Sequence, residues 1–170
     1  MKAKYCLDTS GFSSPLENMP EDLHTVIWSR VMACVKDGMF AATTEIYEEL
    51  EHLPGGIGAC IKESKAVLQF EIEDEKWDRE TYLQHVDRMR GEYAEVISEN
   101  NSNRKKTVGL TDISIIALAK TLGLPVISSE KRLATGQDSK KRQKIPDICD
   151  KEDVRHMSFN EFLRAEGIKG

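Results

Sequence analysis

Four acidic residues lying far apart in the chain, Asp8, Glu49, Asp112 and Glu130, occupy positions from which their carboxylates can converge. Asp8 closes the apolar run Tyr5-Cys6-Leu7, and Glu130 follows Val126-Ile127-Ser128-Ser129, so both stand at the carboxyl ends of predicted strands. Asp112 opens a predicted amphipathic helix, and Glu49 lies on another. In an open α/β sheet, ligands gather in the crevice beyond the carboxyl ends of the strands. Carboxylates brought together there bind hard divalent cations, because a desolvated carboxylate without a partner costs several kcal/mol and a bound cation removes that cost.

Helical phase selects two of the four. Residues three, four and seven apart share a helix face. Ile46, Glu49, Leu50 and Leu53 form one stripe, which places Glu49 among core residues while Glu45, Glu48 and His52 point elsewhere. Asp112, Ile115, Ile116 and Ala119 repeat the spacing, so Asp112 stands at the end of an apolar face. Each acid also has a plainer reading. Asp8 suits an Asx turn, Asp112 a helix N-terminal acid worth about 0.3–1 kcal/mol, Glu49 a surface position at the stripe's edge, and Glu130 a solvated loop. Singly the plainer readings prevail; the joint placement favours chemistry.

The elements that must position these acids alternate between short strands and helices. Strands are expected at 4–7, 39–42, 126–129 and 154–157. Residues 8–11 read as a turn. A helix with first-turn Pro20, Glu21 and Asp22 and apolar positions from Leu23 and Val26 to Val35 ends at Asp37-Gly38. Further helices are expected at 44–52, in a less clearly patterned stretch at 60–77, through Tyr82, Val86, Met89, Tyr93 and Val96, at 112–122 and at 160–165. Trp77, Tyr82 and Tyr93 read as packing residues. This alternation indicates an α/β fold with a mostly parallel sheet.

With 170 residues the chain suits one domain, 1–170, able to bury its own core. Cys6, Cys34, Cys60 and Cys149 are widely spaced and offer no zinc motif, which suits reduced thiols. No apolar stretch approaches the roughly 20 residues of a spanning helix, and nothing resembles a secretory signal, so a soluble cytoplasmic protein without a membrane partner is expected. The net charge of −5 is unevenly divided, with 10 Lys+Arg against 20 Asp+Glu through residue 100 and 14 against 9 beyond it. Lys131, Arg132, Lys140, Lys141 and Arg142 are candidates for phosphate contacts near Glu130, although charge alone equally suits a solvated loop. His24, His52, His85 and His156 are expected away from the acids, which argues against a histidine-based mechanism.

These motifs resemble the PIN-domain ribonucleases, many of which are toxins of bacterial toxin–antitoxin pairs. The resemblance rests on Leu7-Asp8-Thr9-Ser10, on Glu49-Leu50, and on the stretch from Thr111-Asp112 through Ala117-Leu118-Ala119, Gly123, Val126-Ile127 and Ser128-Ser129-Glu130 to Leu133. Glu130 stands where Asp is commoner, and the tail from Lys144 to Cys149 resembles a less characterised branch that often uses Glu there. The resemblance covers 4–53 and 108–165, leaving a helical segment at 57–106 inserted between the acidic motifs. It implies a three-layer α/β/α fold around a twisted, mostly parallel sheet, and Mg²⁺- or Mn²⁺-dependent hydrolysis of RNA phosphodiesters. Asp8 and Asp112 would ligate the cation directly, Glu49 and Glu130 would complete the shell, and Ser10 and Ser128 would support it by hydrogen bonds. An antitoxin partner and a homodimer are further implications. Two readings compete: a PIN-like module that binds RNA or protein without turnover, and a phosphotransfer site with Asp8 as nucleophile. The latter lacks the second Asp two residues on.

Overall fold

Short apolar runs pair side by side in a five-stranded sheet, in a computed structural model that describes residues 3–102, 106–133 and 141–170. The strands are β1 (Tyr5–Leu7), β2 (Phe40–Thr43), β3 (Gln69–Phe70), β4 (Val126–Ile127) and β5 (His156–Met157), in the order β3-β2-β1-β4-β5. Every pairing is parallel, with Tyr5 opposite Phe40, Cys6 opposite Val126, and Val126 opposite His156. Helices cover both faces, so the architecture is three-layer α/β/α. The helices are α1 (Ser10–Asn18), α2 (Thr25–Lys36), α3 (Thr44–Leu50), α4 (Gly55–Glu63), α5 (Lys65–Leu68), α6 (Arg79–Glu92), α7 (Leu110–Leu122), α8 (Ile145–Glu152) and α9 (Phe159–Ala165).

Alternation along the strands divides the core. Tyr5 and Phe40 face an aromatic cluster in which Phe12 of α1, Trp28 of α2 and Phe159 and Phe162 of α9 meet at ring-centroid distances of 5.2–6.1 Å. Small residues on the other face admit α7, which packs on β1, β2 and β4 with α6 outside it. From Ile113 to Ala119 every residue of α7 is buried, the mark of a helix enclosed on all sides. Gly123, at φ +69°, ends it. A helix returning the chain to a parallel strand runs antiparallel to it, so α7 starts at the carboxyl edge of the sheet and brings Asp112 there.

Several boundaries differ from the sequence reading. Helix α1 begins at Ser10, where a turn was expected, because burial of Gly11, Phe12 and Pro15 along one face overrides the loop-like Ser-Ser-Pro composition. A Cβ on Gly11 would come within 2.8 Å of the Ile127 carbonyl, so this close crossing needs glycine. Helix α2 starts five residues later than expected, and Leu23 and Val26 lie 75% and 55% exposed instead of in the core. The stretch 60–77 breaks into α4, α5 and the edge strand β3, and α8 was not anticipated. Tyr82 and Tyr93 are buried as expected.

Helix α8 is anchored by a buried carboxylate. Glu152 meets Arg88 at 2.6 Å and Lys120 at 3.3 Å and accepts the Tyr93 hydroxyl, tying α6 and α7 to α8. Burial alone would raise its pKa, but the bonds to Arg88 and Tyr93 hold it down at about 2. Glu152→Gln is expected to cost about 2–3 kcal/mol at pH 7, below the roughly 3–5 of a fully buried pair because Arg88 stays 41% exposed. The native folded group titrates below its ordinary 4.5, so its contribution is complete above that pH and fades as pH falls towards 2. Urea unfolding of the two proteins should therefore differ most near neutrality and converge in acid.

Candidate metal centre at the carboxyl edge of the sheet

Chain order reverses at β1: β2 and β3 are laid down to one side of it and β4 and β5 to the other. The crevice between β1 and β4 is thus the topological switch point. Asp8 follows β1 directly, and its backbone N–H donates to the Ile127 carbonyl at 3.0 Å. Glu130 lies three residues beyond β4, Asp112 in the first turn of α7, and Glu49 on α3, which springs from β2 without a loop. The Thr43 hydroxyl joins the last two elements, accepting from Ile46 N–H at the start of α3 and meeting the Ser114 hydroxyl of α7 at 3.0 Å.

Asp8 and Asp112 sense the other acids. Asp8 is 6% exposed, and burial pushes its pKa up to about 6 against the opposing bonds from Ser10, with Glu130 and Glu49 adding repulsion. Asp112 is pushed up to about 7, first by burial and then by the charge of Asp8, while the Gly109 N–H opposes and Glu130 and Glu49 add to the rise. Glu49 is also raised by partial desolvation, opposed by the Thr9 hydroxyl. It is nonetheless exposed, not in the core as its stripe suggested, because α3 turns Ile46, Tyr47 and Leu50 inward and leaves Glu49 on the rim. Among the described residues, no three His, Cys, Asp or Glu side chains stand grouped as a metal site.

Local bonds fix one oxygen of each deeper acid. Asp8 Oδ2 accepts from the Ser10 hydroxyl at 2.5 Å and the Ser10 N–H at 3.2 Å. Asp112 Oδ2 accepts from the Gly109 N–H, and Glu130 Oε2 from the Ile145 N–H, both at 2.8 Å. The Asx turn and the helix-capping acid are therefore real. Among the described residues these bonds all fall on a single oxygen of each group, which sets the other oxygen's direction. A carboxylate held in this way by a neighbouring donor suits ligation of a hard cation.

Supporting contacts follow the same edge. Ser10 Oγ also accepts the Ser129 N–H at 3.1 Å, so one hydroxyl joins both sides of the crevice. Ser128 is fully buried; its hydroxyl accepts from Glu130 N–H at 3.2 Å and lies 2.6 Å from His156 Nε2. His156 is thereby one hydroxyl away from the Glu130 backbone, contrary to the expected separation of histidines from the acids. Its strand register opposite Val126 places it there, and short motifs do not reveal register. Asp147, another acid the motifs did not single out, accepts from Lys144 N–H at 2.8 Å and Leu133 N–H at 3.4 Å.

Of the expected phosphate contacts, Lys131, Lys141 and Arg142 are exposed. Arg132 instead forms a two-pronged pair with Asp150, at 2.7 and 2.8 Å, which occupies its guanidinium. Lys140 lies outside the described residues.

A family model for DUF4411, a domain of unknown function, matches residues 5–170. The chain belongs to the DUF4411 family. No curated protein matches this DUF4411 chain. A solved structure, that of PAE2754 from Pyrobaculum aerophilum, is similar to it at 12% identity and a TM-score of 0.50, over 99% of this chain and 92% of that one. At that identity the likeness concerns the fold. Among the described residues of the DUF4411 chain, no helix is long and apolar enough to cross a membrane.

The raised pKa of Asp112 sets a direction for stability. Unfolded, the group titrates near its ordinary 3.8, while folded it holds its proton to about 7. In metal-free buffer the native protein should lose stability as pH climbs between those values and level off above them. Asp112→Asn, which keeps the Gly109 contact, should flatten that fall and stabilise the metal-free protein at pH 8 by an order of 2–4 kcal/mol in chemical denaturation. A variant less stable than the native protein at pH 8 would contradict this origin of the shift.

Proposed function

We propose that this DUF4411 domain is a Mg²⁺- or Mn²⁺-dependent nuclease that hydrolyses RNA phosphodiesters. The observation that carries the reading is the gathering of carboxylates at the switch point, where Asp8 is buried and Asp112 half-buried and neither has a cationic partner among the described residues. The motif resemblance to PIN-domain ribonucleases supports it independently of the pKa shifts. Asp8 and Asp112 would hold the ion, with Glu49 and Glu130 completing or orienting its surroundings. The ion would supply a water of lowered pKa and positive charge against the developing phosphorane.

The chain's own residues would do the rest. Ser10 holds Asp8 through Oδ2, and the Gly109 N–H does the same for Asp112. Ser128 fixes the backbone at Glu130, and the N-terminus of α8 turns the Glu130 side chain. Repulsion among the acids disfavours their full ionisation without a cation, so metal binding releases protons and strengthens from pH 6 to pH 8. Exposed Lys131, Lys141 and Arg142 offer phosphate contacts that weaken as salt rises. The toxin role and antitoxin partner belong to the same proposal by resemblance.

A second reading, a module that binds RNA without cutting it, draws on the separation of the carboxylates into fewer than three grouped donors among the described residues. End-labelled RNA incubated with Mn²⁺ or Mg²⁺ separates the two. Cleavage should vanish with chelator and fall by about 10²-fold or more in Asp8→Asn and Asp112→Asn, while Ser10→Ala should weaken metal dependence by about tenfold. Equal cleavage by native and Asp112→Asn proteins, or RNA binding without any cleavage, would favour the second reading.

A further inference from the structure

Beside the acidic crevice, and on the same edge of the sheet, runs a groove of about 380 Å³ lined by α1, the segment after β4 and the start of α9. Ser14, Asn18, Ser129, Ser158 and Asn160 line it with hydroxyls and amides, and Lys131 is its one charged side chain. Pro15, Met19 and Phe159 supply apolar surface. The groove is joined to the crevice by a short chain of contacts. Ser14 Oγ lies 3.0 Å from Ser129 Oγ, the Ser129 N–H donates to Ser10 Oγ at 3.1 Å, and Ser10 holds Asp8.

Its charge sets it apart. Of three other grooves on the surface, one contains Glu21 and Asp22 with no cation among the described residues, while the other two balance two acids with two cations: Glu152 and Asp153 with Lys120 and Arg155, and Asp37 and Glu166 with Lys4 and Arg30. In a chain of net charge −5, the groove joined to the acidic crevice has one lysine and no carboxylate among the described residues of its lining. A polyanion drawn towards a cation held by the four acids would meet a lysine here with no acid beside it among the described residues of the lining. Apolar surface interleaved with neutral donors and acceptors suits an unstacked base and its sugar, as in single-strand recognition. The volume admits one such unit and not a duplex.

We propose that this groove seats the nucleotide next to the scissile phosphate, and that the substrate is a single strand. Lys131 contacts the flanking phosphate, Asn18 and Asn160 bind base edges or the 2′-hydroxyl, and Met19 packs on the base. The assignment rests on the nuclease reading for its connection to cleavage, but binding to the groove can be measured without turnover.

The test uses a fluorescein-labelled oligouridylate dodecamer and a hairpin of equal length, with Asp112→Asn as the background so that nothing is cut. Lys131→Ala and the pair Asn18→Ala, Asn160→Ala should each raise the dodecamer Kd about tenfold, and a Lys141→Ala, Arg142→Ala pair should raise it less. The hairpin should bind more weakly than the dodecamer to the background protein. Circular dichroism and melting controls identify folded variants, and photo-crosslinking of 4-thiouridine in the dodecamer should mark the peptide containing Met19 in the background protein. Unchanged Kd in folded groove variants, preference for the hairpin, or crosslinks confined to 141–142 would overturn the groove. Tight groove-dependent binding by a native protein that cuts nothing would leave the groove standing and remove the nuclease reading instead.

Discussion

Desolvated like charges at the carboxyl edge of the sheet are the constraint around which the rest of this fold is arranged. Bringing Asp8, Asp112, Glu130 and Glu49 within electrostatic reach opposes folding, and the opposition grows with each proton lost. Such an arrangement persists only when the surrounding structure over-determines it. Here the fully enclosed α7 supplies one wall, the paired ends of β1 and β4 supply the floor, and Thr43 ties α3 to α7 across the opening. The aromatic cluster on the opposite face and the Glu152 network at the far end of α7 are independent sources of stability that can carry this cost.

Glu152 provides the comparison that gives the crevice its meaning. It is as buried as Asp8, at 4% against 6% exposure, yet its pKa falls to about 2 while that of Asp8 rises to about 6. The difference is the company each keeps. Glu152 has a guanidinium, an ammonium and a phenol within bonding distance, which return more than burial removes. Asp8 has hydroxyl and amide donors on one oxygen and two acids beyond. The chain therefore builds a satisfied buried carboxylate where a helix must be fastened. At the switch point, where ligands bind in this class of sheet, it leaves the charge deficit in place.

Much of this was legible from residue order. Strand β1, strand β4 and the α7 pattern follow from apolar runs and period, and Asp8, Asp112 and Glu130 emerge where those elements end. What escaped did so for physical reasons. The interior position assigned to Glu49 assumed that its stripe faced the core, but the direct join of β2 to α3 sets the rotation, and Tyr47 takes the buried place. The Ser-Ser-Pro run in α1 has loop composition, and only the pressing of Gly11 against Ile127 makes a helix there economical of space. His156 depends on strand register, and α8 on a cap from Glu130, outside its own sequence, together with Asp147 in its first turn.

The last of these bears on how the acidic and basic halves of the chain meet. Glu130 bonds the first amide of α8, Asp147 bonds the amides of Lys144 and Leu133, and Arg132 pairs with Asp150. Both ends of the basic stretch are thus fastened to α8, which the Glu152 network in turn fastens to α6 and α7. The side chain proposed to complete the cation's surroundings is the same one that starts the helix. Moving Glu130 towards a cation would strain the α8 cap, and shifting α8 would re-aim Glu130. Acid and base are coupled here through a helix terminus: the backbone that carries Lys131 runs between Glu130, bonded to Ser128 and α8, and Leu133, bonded to Asp147.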